Sequence, residues 1–196
     1  MKQILLMKKE IYKKLSGHEL AIYCVLLSFL NPDDYILYVH TEIIASKIKN
    51  TLVEEKHFLE STKKSLESLI KKLSLTIIEV SNNKKKYILD CRNLYIDIKS
   101  DQYIKISIQD LRTILDENNV NKFFLLKYYV YLCDLILEHD NSSILKSKNE
   151  ISIKIPIHQI SKEISLNEKT IFEYNKILKK LGLNYINNRE IYFSNN

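Results

Sequence analysis

The stretch SLNEKTIFEYNKILKKLGLNYI, Ser165 to Ile186, reads as a helix that stops and turns into a strand. Ser165-Leu166-Asn167-Glu168 opens it. Ile171, Tyr174, Ile177, Leu178 and Leu181 then recur at three- and four-residue spacing, which makes one apolar stripe. Gly182 stands at the C′ position, where a helix ends in a left-handed residue. Leu183 to Ile186 predicts a strand, Asn187-Asn188-Arg189 a turn, and Glu190 to Phe193 a second strand. Working backwards, Pro156 begins a short helix with Ile157, Ile160 and Ile164 inward, and Ile151 to Ile155 alternates as a strand. A polar loop, Asp140 to Asn149, separates that strand from a long apolar helix, Val120 to Glu138.

The same order occurs earlier in the chain. Ser16 and Glu19 form a capping box ahead of a helix that is apolar nearly all round, which implies burial. Asn31-Pro32-Asp33-Asp34 stops it, and Tyr35 to Val39 predicts a strand. Thr41 is expected to cap a short helix, Glu42 to Lys49, and Thr51 with Glu54 to open the next, which carries Phe58, Leu59, Leu66, Leu69, Ile70 and Leu73. Strand Thr76 to Val80, the turn Ser81 to Lys85 and strand Lys86 to Cys91 follow. Glu60 to Leu75 laid on Glu168 to Leu183 gives six identities in 16 positions, among them Thr62/Thr170, Leu73/Leu181 and Leu75/Leu183. The first copy is eight residues longer between its helices, around NTLVEEKH. The expected organisation is a first domain over 1–94, a structured linker over 95–115 that pairs against one or both domains, and a second domain over 116–196. The class is α+β, rich in helix.

Composition limits the chemistry. The 196 residues carry 30 Lys+Arg against 24 Asp+Glu, a formal +6, which favours polyanionic partners. Only three of the cations are arginine, and a high Lys, Ile and Asn content matches AT-rich coding, which inflates Lys whatever the function. Two glycines cannot build a P-loop or a dinucleotide-binding turn. Cys24, Cys91 and Cys133 are far apart, as expected of reduced cytosolic thiols. The opening MKQILLMKKE has too short an apolar run for a secretory leader, and no stretch is long enough for a membrane span. The five histidines share no ligand spacing, and no nucleophile has a base nearby in sequence. The reading is therefore a cytoplasmic, non-enzymatic protein with no cofactor, no metal and no small-molecule substrate.

Helix, turn, second helix and hairpin, with the Ser165–Ile186 signature, resembles the winged helix-turn-helix. Here a Ser-x-x-x-Thr-apolar start leads to a leucine-glycine-leucine end, and the first copy departs by placing Ser74 at the glycine. Two such domains in one basic chain are similar to plasmid and phage replication initiators of low-GC Gram-positive bacteria and to DnaD-like primosome proteins. The LSGHELAIYCVLLSFL stretch is similar to the first helix of those domains. The resemblance implies two winged helices in tandem that bind double-stranded DNA at an origin, with a homodimer or replisome and helicase-loading proteins as further partners. The second helix of each domain would enter the major groove while the wing meets phosphates.

On that basis the DNA-binding residues expected in the second copy are Asn167, Lys169, Thr170, Glu173 and Lys176, with Arg189 at the wing tip. In the first copy they are Ser61, Thr62, Lys63, Lys64, Glu67 and Ser68, with Lys84, Lys85 and Lys86 in the wing. Lys84 to Lys86 read equally as a solvated turn. The first hundred residues hold 17 cations and 12 anions, the remainder 13 and 12, so a protein-binding second domain stays open. A transcriptional regulator of the same fold, and a tandem winged-helix scaffold like the condensin-associated ScpB proteins, are the alternatives.

Overall fold

The computed structural model describes residues 4–31, 33–49, 54–81, 83, 85–140, 150–153, 156–183, 185–187 and 190–194. Pro32, Thr51, Lys84, Arg189 and the loop 141–149 lie outside them, so the sequence readings on those positions have no structural counterpart. The chain is an α+β fold, rich in helix, with small antiparallel sheets. It divides into two compact units, Met1–Lys127 and Tyr128–Asn196.

The first unit opens with strand β1 (Ile4–Lys8), the single helical turn α1 (Lys9–Tyr12) and helix α2 (Gly17–Phe29). The α2 capping box is complete: Ser16 N–H donates to Glu19 Oε2 at 2.7 Å and Glu19 N–H to Ser16 Oγ at 3.2 Å. Every residue from Glu19 to Leu26 is buried, as the all-round apolar pattern requires. Gly17 is needed for close approach, because a Cβ there would stand 2.5 Å from the Phe123 carbonyl oxygen.

Strand β2 (Ile36–His40), helix α3 (Thr41–Lys47), helix α4 (Glu55–Lys72) and strands β3 (Thr76–Val80) and β4 (Lys86–Asp90) follow. The strands form one antiparallel sheet in the order β2-β4-β3. Leu37 pairs with Leu89 and Leu89 with Ile77, while Leu37, Val39, Tyr87 and Leu89 turn to the core. Leu20, Ile22 and Leu26 of α2, Ile44 of α3, and Leu66, Leu69 and Ile70 of α4 are buried in the same unit. Burial of these aliphatic side chains, each worth about 1.5–3 kcal/mol, is the main force holding the unit together.

One expected cap differs. Thr41 is the first residue of α3 and does not cap it: its N–H and hydroxyl both donate to the Lys85 carbonyl, at 2.9 and 3.2 Å. Helix α4 begins at Glu55 with no side-chain cap.

The segment expected as a linker contains strand β5 (Tyr103–Ser107) and helix α5 (Ile108–Leu115). Strand β5 pairs antiparallel with β1, Ile4 opposite Ser107 and Lys8 opposite Tyr103, and buries Leu5, Met7, Ile104 and Ile106. The residues YIDIKSDQYIKIS, Tyr95 to Ser107, alternate in sequence but do not form one strand. Asp97 interrupts the pattern with a turn, accepting from Lys99 N–H and the Ser100 hydroxyl. Helix α6 (Lys122–Asp140) begins in this unit. There the buried Lys122 ammonium donates to the carbonyls of Lys49 and Leu115, beyond the end of α3 and at the end of α5.

The second unit contains the rest of α6, strand β6 (Glu150–Ile153), helices α7 (Ile157–Ile164) and α8 (Glu168–Lys180), and strands β7 (Tyr185–Asn187) and β8 (Glu190–Ser194). Its sheet order is β6-β8-β7, so in each three-stranded sheet the strand latest in sequence is central and the strand preceding the helices lies on one edge. Tyr128 donates to Asn175 Oδ1 at 2.7 Å and Tyr131 to Glu163 Oε2 at 2.5 Å, joining α6 to α8 and α7.

Candidate nucleic-acid interface

Helices α4 and α8 end in the same way. At the end of α8, Gly182 has φ +73°, with Gly182 N–H bonded to the Lys179 carbonyl and Leu183 N–H to the Leu178 carbonyl. At the end of α4, Ser74 has φ +51°, with Ser74 N–H bonded to Lys71 and Leu75 N–H to Ile70. The departure noted at Ser74 therefore keeps the geometry of the glycine copy and places a side chain in a strained backbone region. Both turns send the chain directly into the hairpin.

In the first unit α4 and the β3–β4 turn lie side by side, because Lys63 Nζ donates to the Asn83 carbonyl at 3.1 Å. Ser81 and Asn83 organise that turn. The Ser81 hydroxyl donates to Asn83 Oδ1 and accepts from the N–H groups of Lys85 and Lys86. Lys85 folds back onto α3 and pairs with Glu42 at 2.8 Å; this ion pair holds the Glu42 carboxyl below its ordinary pKa and raises that of Lys85. Lys86 is exposed at the start of β4.

The expected contact residues divide. Lys64 and Ser61 are exposed on α4, although Ser61 Oγ stands 3.4 Å from His18 Nδ1. Lys63 and Glu67 are half-buried, with Glu67 beside Tyr87, whose phenol is raised by burial and by that charge. Thr62 needs correcting: it is fully buried and its hydroxyl donates to the Phe58 carbonyl at 2.9 Å. It lies on the same face as Phe58, Leu66 and Leu69, which α4 turns inward. Ser68 likewise points to α2, donating to Glu19 Oε1 at 2.7 Å. The exposed first turns of α4 hold Lys56 and Glu60 instead, residues the sequence reading passes over. The spacing Lys56, Glu60, Lys64, opposite Phe58, Thr62 and Leu66, is the signal that points to them.

Behind this surface α4 is fixed to α2 by polar groups. The His18 ring stacks on Phe58 and Phe123, with centroids 5.6 and 4.6 Å away. Because the Thr62 hydroxyl already donates to Phe58, its oxygen is left to accept from His18 Nε2–H; Nδ1 then accepts from Ser61 or Ser65. Desolvation lowers the His18 pKa against the opposing pull of Glu19, which favours this neutral ring. Burial alone would raise the Glu19 carboxyl, yet Lys72, the Ser16 N–H and Ser68 hold it down at about 2. The Lys72–Glu19 separation is 2.7 Å.

In the second unit Asn167, Lys169, Glu173 and Lys176 are exposed on α8 and Thr170 is half-buried. Asn167 Oδ1 caps the helix, accepting from Thr170 N–H at 2.7 Å. Phe172, not among the expected residues, is 43% exposed on the same outer face.

Among the described residues no group of three His, Cys, Asp or Glu is arranged to hold a metal ion. The cysteines are buried thiols, and burial pushes Cys24 up to about 12 and Cys91 to about 11, far from thiolate reactivity. No described helix is long and apolar enough to cross a membrane. No protein-family model matches the chain, and no curated protein matches it in sequence.

Proposed function

We propose that this chain is a tandem winged-helix protein that binds double-stranded DNA without catalysis, in replication initiation at a plasmid or phage origin. In this reading α4 and α8 are the recognition helices and the β3–β4 and β7–β8 hairpins are the wings. The observation that carries it is the Lys63–Asn83 hydrogen bond, which joins a cation-bearing helix and a lysine-bearing hairpin into one surface. Lys56, Lys64 and Lys86 are exposed on these two elements. Phosphate contacts from such lysines supply affinity that falls with salt, about 0.9 in the log–log slope for each phosphate neutralised. The repeated helix ending and the repeated sheet order add support, since both copies then offer the same element to DNA.

The test is fluorescence anisotropy of the full chain with a random-sequence DNA duplex across a salt series. Tight binding at low salt that weakens steeply is expected; no salt-sensitive binding overturns the reading. The competing reading, a protein-interaction scaffold, is favoured by the edge strand β3, where Ile77, Ile78 and Val80 are all exposed. It gains ground only if duplex binding is absent.

A further inference from the structure

Phe172 is an exposed aromatic side chain that the fold does not require. The inward face of α8 is made by Ile171, Tyr174, Asn175 and Leu178, and Phe172 lies outside that face. Its counterpart in the first copy is Lys64, also exposed, so the repeat folds with a charge at this position. Phe172 sits between exposed Lys169, three residues before it, and exposed Lys176, four residues after it, on one helical stripe. It lies in the N-terminal half of α8, the half that reaches base edges when a recognition helix docks in the major groove. A large apolar group held between two cations meets one matching apolar feature in that groove, the C5-methyl group of thymine. Lys169 and Lys176 would meet phosphates or guanine on either side.

We infer that Phe172 is a specificity-determining residue that reads thymine methyl groups, so that the second unit prefers thymine-containing sites while the more basic first unit supplies charge. The inference rests on the DNA-binding reading above. In the first copy the same position, Lys64, contributes charge without this preference.

The experiment uses the full chain and a duplex enriched by it from a random-sequence pool, resynthesised with uracil in place of every thymine. Wild-type protein is expected to bind the uracil duplex about three- to fivefold more weakly for each thymine methyl group that Phe172 covers. Phe172→Ala should bind both duplexes equally, with an unchanged thermal unfolding profile, and Phe172→Leu should retain part of the preference. Lys169→Ala should weaken both duplexes alike. Equal wild-type affinity for the two duplexes, or full discrimination kept by Phe172→Ala, overturns the inference and leaves DNA binding standing. Failure to enrich or bind any duplex removes the DNA reading and this inference with it.

Discussion

At the residue scale the two copies provide an internal control. Ser74 and Gly182 occupy equivalent left-handed positions, but only glycine reaches that region without a Cβ penalty. Ser74→Gly is therefore expected to stabilise the protein by about 1 kcal/mol in urea denaturation. Gly182→Ala should cost about as much; nothing lies within 4 Å of its added Cβ, so the effect is in the backbone alone. Gly17 fails for another reason. Gly17→Ala drives a Cβ against the Phe123 carbonyl and should lose about 1–3 kcal/mol. Acid acts through two neighbours. His18 and Glu19 both have folded pKa values below their unfolded ones, so each contributes stability above its unfolded value and loses it as pH falls. The first loss begins below 6.5 as His18 charges; the second runs from 4.5 toward 2 as Glu19 is protonated. Urea midpoints measured against pH should fall in both windows, and Glu19→Gln should shrink the lower fall by on the order of 2–3 kcal/mol without removing it, because Glu42, Asp90 and Asp97 are also held below their ordinary values.

At the element scale, local pattern is enough wherever local bonds decide the outcome. The Ser16–Glu19 capping box, the inward face of α8 and the Gly182 ending all follow from residues within a few positions of one another. Thr41 misleads because a threonine before an apolar run suits either the cap or the first turn. The choice is made by the distant Lys85 carbonyl, which takes both of its donors. The contact residues of α4 come out about one turn too far along in sequence, since they are taken by matching Glu60 to Glu168, the first residue of α8, whereas α4 itself starts five residues earlier, at Glu55. Pairing of β5 with β1 joins segments about a hundred residues apart, and no local period reports that. Lys122 is the same kind of feature, a lysine that looks solvated in sequence and is buried against two carbonyls. Lys122→Ala should orphan both acceptors and leave a cavity, at a cost of about 2–4 kcal/mol in urea denaturation.

At the scale of the whole molecule, charge divides unevenly between the units. The first holds 21 cations against 16 anions, the second 9 against 8. If the chain binds duplex DNA, the salt dependence should therefore belong mainly to the first unit. Of its lysines near the hairpin, Lys85 is already paired with Glu42 and Lys63 with the Asn83 carbonyl, so Lys56, Lys64 and Lys86 offer the exposed charge. Replacing those three together with alanine should weaken binding to every sequence and reduce the log–log salt slope by about 2–3. Glu42→Gln should act in the opposite sense, freeing Lys85 for one more phosphate and steepening the slope by about 0.9. Replacing Lys169 and Lys176 should change the slope less than the triple substitution and shift sequence preference more. Equal slope changes from the two sets, read from salt titrations of one duplex, would show that both units contact phosphate to the same extent. The charge difference between them would then be only a difference in solvated surface.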